Sequence, residues 1–123
     1  MSSNSCPFCN PDRKILENDL VYARFDNYPV TPGHILIVPF RHISDYFILT
    51  EEEHDSIREL TASAKELLDR GKRPDGYNLG VNCGTAAGQT IDHVHIHLIP
   101  RYKGDIEDPR GGIRGVIPQK QKY

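Results

Sequence analysis

Residues 93–98 read His-Val-His-Ile-His-Leu, a strict alternation of imidazole and aliphatic side chains. In an extended strand successive side chains point to opposite faces, and those at i, i+2 and i+4 share a face at spacings of about 6.5–7 Å. Residues 93–99 are therefore expected to form a strand ending at Pro100, with Val94, Ile96 and Leu98 in a core and His93, His95 and His97 on the other face. A solvated strand face needs polar side chains, but it does not need three histidines. Three chemistries use such a row: a metal held by all three imidazoles, one histidine as general base, or one as a nucleophile at phosphorus.

The rest of the chain supplies partners for that strand. Residues 20–25, 34–38 and 77–82 are β-rich runs, with Pro39 expected to end the second, and Ile15 and Leu16 could open a short strand before them. The clearest helix starts at Thr50, an N-cap with Glu53 three residues on to close a capping box. Ile57, Leu60, Ala64, Leu67 and Leu68 recur at helical spacing as one buried stripe, and Gly71 supplies a stop. Tyr46 to Leu49 form a short apolar patch before the helix. Four or five strands with one main helix predict an α+β domain, an antiparallel sheet rather than repeated βαβ units. Residues 1–123 read as a single domain with a core at about 5–105; the glycine-rich residues 106–123 read as an extended arm without further elements.

Composition narrows the function. A net charge of −2, from 15 basic and 17 acidic side chains, gives no reason to expect a nucleic-acid polymer or an anionic membrane as partner. The longest apolar run is residues 35–38, far short of a membrane span. No leader with a charged start, an apolar stretch and a cleavage site is visible. Three cysteines, two of them in Cys6-Pro7-Phe8-Cys9, suit a reducing compartment, so a cytoplasmic location is expected. The spacing of Cys6 and Cys9 is that of a zinc knuckle. Unliganded thiols and a redox pair remain open on spacing alone, although a redox C-x-x-C usually opens a helix and Pro11 follows closely here. A core drawn from 37% hydrophobic residues makes a metal staple or an oligomer interface plausible.

Between the last two expected strands runs a loop of small residues containing Gly84, Gly88, Gln89 and Thr90. Its backbone N–H groups and the Thr90 hydroxyl could cradle phosphate oxygens immediately before the histidines. Residues 88–101, Gly-Gln-Thr-Ile-Asp-His-Val-His-Ile-His-Leu-Ile-Pro-Arg, together with Pro32-Gly33-His34 to Pro39 and His42-Ile43-Ser44, resemble the signature of the histidine triad superfamily of nucleotide hydrolases and transferases. The resemblance covers about residues 5–105. It implies that His95 attacks the α-phosphorus of a nucleotide to give a nucleotidyl-histidine, which water then hydrolyses. It also implies that His97 contacts the phosphate near the leaving group and that His34 supports the imidazole network. Asp26 would hold the ribose; Asn82, Gly88, Gln89 and Thr90 would meet the phosphates; and residues near Phe8, Leu20, Phe25 and Ile35 would wall the base. A subset of the family carries a Cys-Cys-His-His structural zinc site, which falls here on Cys6, Cys9, His42 and His93. No organic cofactor is implied. Members similar to this chain pair as homodimers across a ten-stranded sheet. The third histidine favours hydrolysis over transfer, and Pro100-Arg101 resembles the dinucleoside polyphosphate branch more than the adenosine phosphoramidate branch, with a non-catalytic nucleotide-binding interaction protein as the alternative outside catalysis. Arg101, Lys103 and the basic tail would then be placed to receive distal phosphates.

Overall fold

The computed structural model describes residues 5–123. Strands Leu16–Glu17 (β1), Val21–Phe25 (β2), Ile35–Pro39 (β3), Gly76–Val81 (β4) and Ile96–Arg101 (β5) form one sheet, and the helix Glu51–Gly71 (α1) joins β3 to β4. The order is β1-β2-β3-β5-β4 and every neighbouring pair is antiparallel, the α+β arrangement expected. A 3-10 turn at Tyr46–Ile48 occupies the short apolar patch.

Helix α1 begins as the sequence predicts. The Thr50 hydroxyl accepts the Glu53 N–H at 3.0 Å and the Glu53 carboxylate accepts the Thr50 N–H at 2.9 Å. Glu53 is buried because Arg41 also donates to both its carboxylate oxygens, at 3.0 and 2.7 Å. Glu53, Ile57, Leu60, Ala64 and Leu68 make the buried stripe. Leu67, expected in that stripe, is 36% exposed because it sits at its edge. Gly71 is the last helical residue rather than the stop; Lys72 and Arg73 both donate to the Leu68 carbonyl. Arg73 takes the left-handed conformation (φ 50°) ahead of Pro74, which disfavours continuation of the helix.

The sheet separates two kinds of surface. Val21, Ala23, Ile35, Ile37, Ile96 and Leu98 face α1 in the main core, where burying a valine, isoleucine or leucine side chain contributes roughly 1.5–3 kcal/mol. Gly33 (φ 91°) lets β3 enter beneath the helix: a Cβ there would lie 2.9 Å from Leu68 Cδ2. On the opposite face Tyr22, Leu36 and Val38 cluster under Phe8 of the N-terminal segment. Pairing across the strands aligns Arg24, Leu36, His97 and Gly80 in one row of that face.

Strand β5 differs from expectation at both ends. It starts at Ile96 rather than residue 93, because the ladders to β3 and β4 both end at Ile96. Val94 instead donates its N–H to the Ile43 carbonyl at 2.7 Å, holding residues 93–95 extended without a sheet partner. Pro39 is the last residue of β3, as expected, whereas Pro100, expected to end the last strand, is followed within it by Arg101. Pro39 pairs with Val21 and Pro100 with Tyr77. Their carbonyls point away from those partners, toward His93 Nε2 and the Thr31 hydroxyl, where the β3–β5 ladder has already ended, so no ladder hydrogen bond is lost. The C-terminal arm is not featureless: 3-10 turns at Gly112–Val116 and Pro118–Lys120 fold it back, and Ile113 lies over Gly80 of β4.

Candidate active site

The three histidines occupy three environments. His93 is fully buried, and its Nε2 lies 2.8 Å from the Pro39 carbonyl, which can only accept. The ring proton is thus on Nε2, and Nδ1 presents a lone pair to Cys6 Sγ at 3.4 Å and Cys9 Sγ at 3.6 Å. His42 Nδ1 lies 3.0 Å from Cys9 Sγ. The four donor atoms of Cys6, Cys9, His42 and His93 all fall within 4.8 Å of one another. A tetrahedral ion bound at about 2.3 Å to sulfur and about 2.0 Å to nitrogen would set its S···N edges near 3.5 Å, so the set fits such an ion. Burial holds the His93 imidazole below its ordinary pKa, in the neutral form a ligand needs. No disulfide joins the cysteines.

His95 is buried, and its Nδ1 lies 2.8 Å from the His93 carbonyl. That carbonyl accepts the Nδ1–H and leaves the Nε2 lone pair available as a nucleophile or base. The Phe8 ring packs 4.8 Å from the imidazole. The segment that carries a prospective metal ligand thus also fixes the tautomer of His95.

His97 is set by a different chain of bonds. The Val30 N–H donates to His34 Nδ1 at 3.0 Å, so the His34 proton resides on Nε2. His34 Nε2 lies 2.9 Å from His97 Nδ1 and donates to it, which puts the His97 proton on its own Nε2. Burial, with the positive charge His95 and His34 would carry, pushes the His97 pKa down to about 4 against an opposing pull from Asp26. Burial also lowers His34, again opposed by Asp26, whose carboxylate is 3.5 Å from His34 Nε2. Asp26, His34 and His97 have metal-like spacing, but the proton on His34 Nε2 blocks ligation there.

Asp26, His34, Asn82 and His97 line one cleft of about 420 Å³, to which the arm adds Ile113 and Val116. The loop side holds a second hollow of about 640 Å³ bounded by Gln89, Thr90, Cys83 and Phe47. The loop is built around Gln89. Its carbonyl oxygen accepts the Gly84 N–H at 2.8 Å, and its amide donates to the carbonyls of Ser44 and Ile91. Gly88 (φ 95°) closes the 3-10 turn Thr85–Ala87, and Thr90 is exposed beside it. Of the residues expected to wall a base, Phe8 lies on the histidine face, whereas Ile35 and Leu20 pack on the helix side and Phe25 is exposed. Arg101 is engaged: it donates to both Asp105 oxygens at 2.8 Å and to Asn78 at 2.6 Å.

Residues 8–104 match the HIT domain family. The chain belongs to the HIT domain family. It is 38% identical over 92 residues to AP-4-A phosphorylase of Mycobacterium tuberculosis, covering 74% of this chain and 47% of that protein. It is 36% identical over 90 residues to the bis(5'-adenosyl)-triphosphatase of Dictyostelium discoideum, covering 73% of this chain and 60% of the relative. The chain thus spans about half the length of the phosphorylase it matches. A Zn-bound histidine triad family protein from Mycobacterium smegmatis superposes with a TM-score of 0.76 at 32% identity, covering 85% of this chain and 80% of the other. In this HIT domain the structure brings His93, His95, His97, His34 and Asp26 together. Val30 and Pro39, whose backbone groups fix two tautomers, carried no sequence signal, since neither acts through its side chain.

Proposed function

We propose that this HIT domain cleaves the α-phosphate linkage of adenosine nucleotides through a nucleotidyl-histidine at His95. The observation that carries the reading is the hydrogen bond from His95 Nδ1–H to the His93 carbonyl, which frees Nε2. His95 Nε2 attacks the α-phosphorus, an N–P bond forms, and the bond to the leaving group breaks with its electron pair. The positive charge this places on the His95 ring is stabilised at Nδ1–H by the His93 carbonyl. His97 Nε2–H donates to a phosphoryl oxygen or the bridging atom, and its lowered pKa keeps it a neutral donor rather than a cation. Water then attacks phosphorus, the N–P bond breaks, the lone pair returns to His95, and AMP and a proton are released.

Dinucleoside polyphosphates are the preferred substrates in this reading, adenosine phosphoramidates the second choice. The names of the phosphorylase and the triphosphatase support it, as does Pro100-Arg101. Asp26 holds the ribose, and Asn82, Gly88 and Thr90 meet the phosphates, with Gln89 shaping the loop that does so. Arg101 is occupied by Asp105 and Asn78, which leaves Lys103 and the arm to meet distal phosphates. Cys6, Cys9, His42 and His93 hold a structural zinc that would tie the N-terminal segment to the sheet. The donor spacing and the Zn-bound mycobacterial relative support that assignment. Residues 1–123 act as one domain, paired as a homodimer in the cytoplasm.

The test is AMP release from diadenosine tetraphosphate, diadenosine triphosphate and adenosine phosphoramidate, with His95→Ala alongside. Release from at least one compound, reduced by roughly 10⁴-fold or more in His95→Ala, is expected. Equal release by the variant would overturn the mechanism.

A further inference from the structure

The C-terminal arm is a built element. The Arg114 Nε–H donates to the Gln121 carbonyl at 3.3 Å, and the Gln121 side-chain amide donates to the Arg110 carbonyl at 3.2 Å. The Arg114 guanidinium also lies 4.7 Å from the centre of the Tyr123 ring. Gly111 (φ 87°) is required for this fold, because a Cβ there would collide with the Gln121 carbonyl. The arm thereby carries Ile113 and Val116 to the His97 cleft, where they remain 57% and 75% exposed.

That cleft joins polar groups to an apolar wall. The Asp26 carboxylate is oriented by the Tyr28 N–H, which donates to it at 2.9 Å. In the nucleotide reading above, Asp26 takes the ribose, and Asn82 and His97 take the phosphate. One part of the nucleotide is then left without a seat, the base. None of Phe8, Leu20, Phe25 and Ile35, expected to wall it, lines this cleft. Val30, Ile99, Ile113 and Val116 do line it, and they offer the apolar surface that the face of a ring needs. Among the described residues no lysine or arginine lines the cleft, so this wall has no cation for further phosphates. A volume of about 420 Å³ and a mostly apolar lining with a few polar groups are those of a small-ligand pocket.

We propose that Ile113 and Val116 of the arm, with Val30 and Ile99, form the wall that seats the nucleobase. The inference rests on the nucleotide reading above and adds where the base goes. A base held there covers the two exposed aliphatic side chains and makes the folded arm part of the site. The ligand recognised is a nucleoside monophosphate; a bare sugar phosphate fills only the end of the cleft marked by Asp26, Asn82 and His97.

Calorimetric titration of the intact, metal-loaded protein with AMP and with ribose 5-phosphate tests it, since the two share sugar and phosphate and differ in the base. The wild type should bind AMP roughly thirtyfold more tightly, and a variant carrying both Ile113→Ala and Val116→Ala should cut that ratio about tenfold. Val116→Thr keeps the shape, removes apolar surface and alters no buried side chain. It should cut the ratio about threefold, and it decides the matter if the double variant loses the fold of the arm. Equal affinity for the two ligands in the wild type, or a ratio that survives the substitutions, would overturn the proposal. So would an equal loss of both ligands, which would assign the arm to the sugar or the phosphate. Because binding is read without turnover, base-dependent binding with no hydrolysis would overturn the catalytic reading alone. His95-dependent AMP release with an unmoved ratio would overturn this inference alone, and binding of neither ligand would overturn both.

Discussion

The imidazoles of His93, His95 and His97 share a sequence pattern, but His93 and His97 carry their protons where distant groups put them, whereas His95 is set by the carbonyl two residues before it. Pro39 O fixes His93 from 54 residues away, and His34 fixes His97 from 63. The alternation in the sequence was enough to send Val94, Ile96 and Leu98 into the core and the histidines elsewhere. The tautomers of His93 and His97 were not legible, because they depend on groups that only the fold brings near. One consequence is a pH dependence of stability. His97 has a folded pKa of about 4 against an ordinary 6.5, so the unfolded chain binds more protons through that interval. Its contribution is fully present above the unfolded value and is lost as pH falls toward the folded one. His34 and His93 are shifted in the same direction. Thermal denaturation should therefore give a Tm that is flat above about pH 7 and falls as pH drops from 6.5 toward 4, with a shallower fall in His97→Gln. A Tm independent of pH across that interval would refute this account of the imidazole chain.

At the level of elements, the capping box of α1 and its buried stripe were legible because both depend on residues within a few turns of each other. The limits of β5, with Pro100 inside the strand, were not. They follow from where a neighbouring strand stops, which no local pattern encodes. The Cys6–Cys9 segment lies between these cases: its spacing suggested a metal, but its partners His42 and His93 come from beyond β3 and from the entry to β5. If a zinc ion joins these elements, removing it should weaken the fold by several kcal/mol, since metal binding and folding share one free energy. Urea unfolding with and without a strong chelator, repeated on Cys9→Ser, measures this. The expected result is a lower midpoint on chelation and no further effect of chelator on the variant. An unchanged midpoint in the wild type would remove zinc from the account.

Over the whole molecule, the sheet leaves β4 as a free edge, and Leu79 on that strand is 55% exposed although it pairs with Leu98 of the core. An exposed apolar edge strand is a template for pairing with another chain, and in the proposed homodimer a second copy would satisfy it. Sedimentation should show a dimer for the wild type and a monomer for Leu79→Glu. A wild-type monomer at micromolar concentration would contradict the proposed assembly. The arm illustrates the limit of composition at this scale. Its glycines read as an extended tail, yet Ile113 and Val116 return to the His97 cleft. What draws them back is the open surface over Gly80, a feature of the folded sheet rather than of the arm's own sequence.

The proposed mechanism turns on a covalent bond between His95 Nε2 and phosphorus. Intact-mass spectrometry of rapidly quenched enzyme mixed with diadenosine tetraphosphate tests it most directly, with the modified peptide then sequenced. A transient gain of one adenylyl group on His95, absent from His95→Ala, is the expected result. AMP release at full rate with no adduct on His95, or an adduct on another residue, would contradict it.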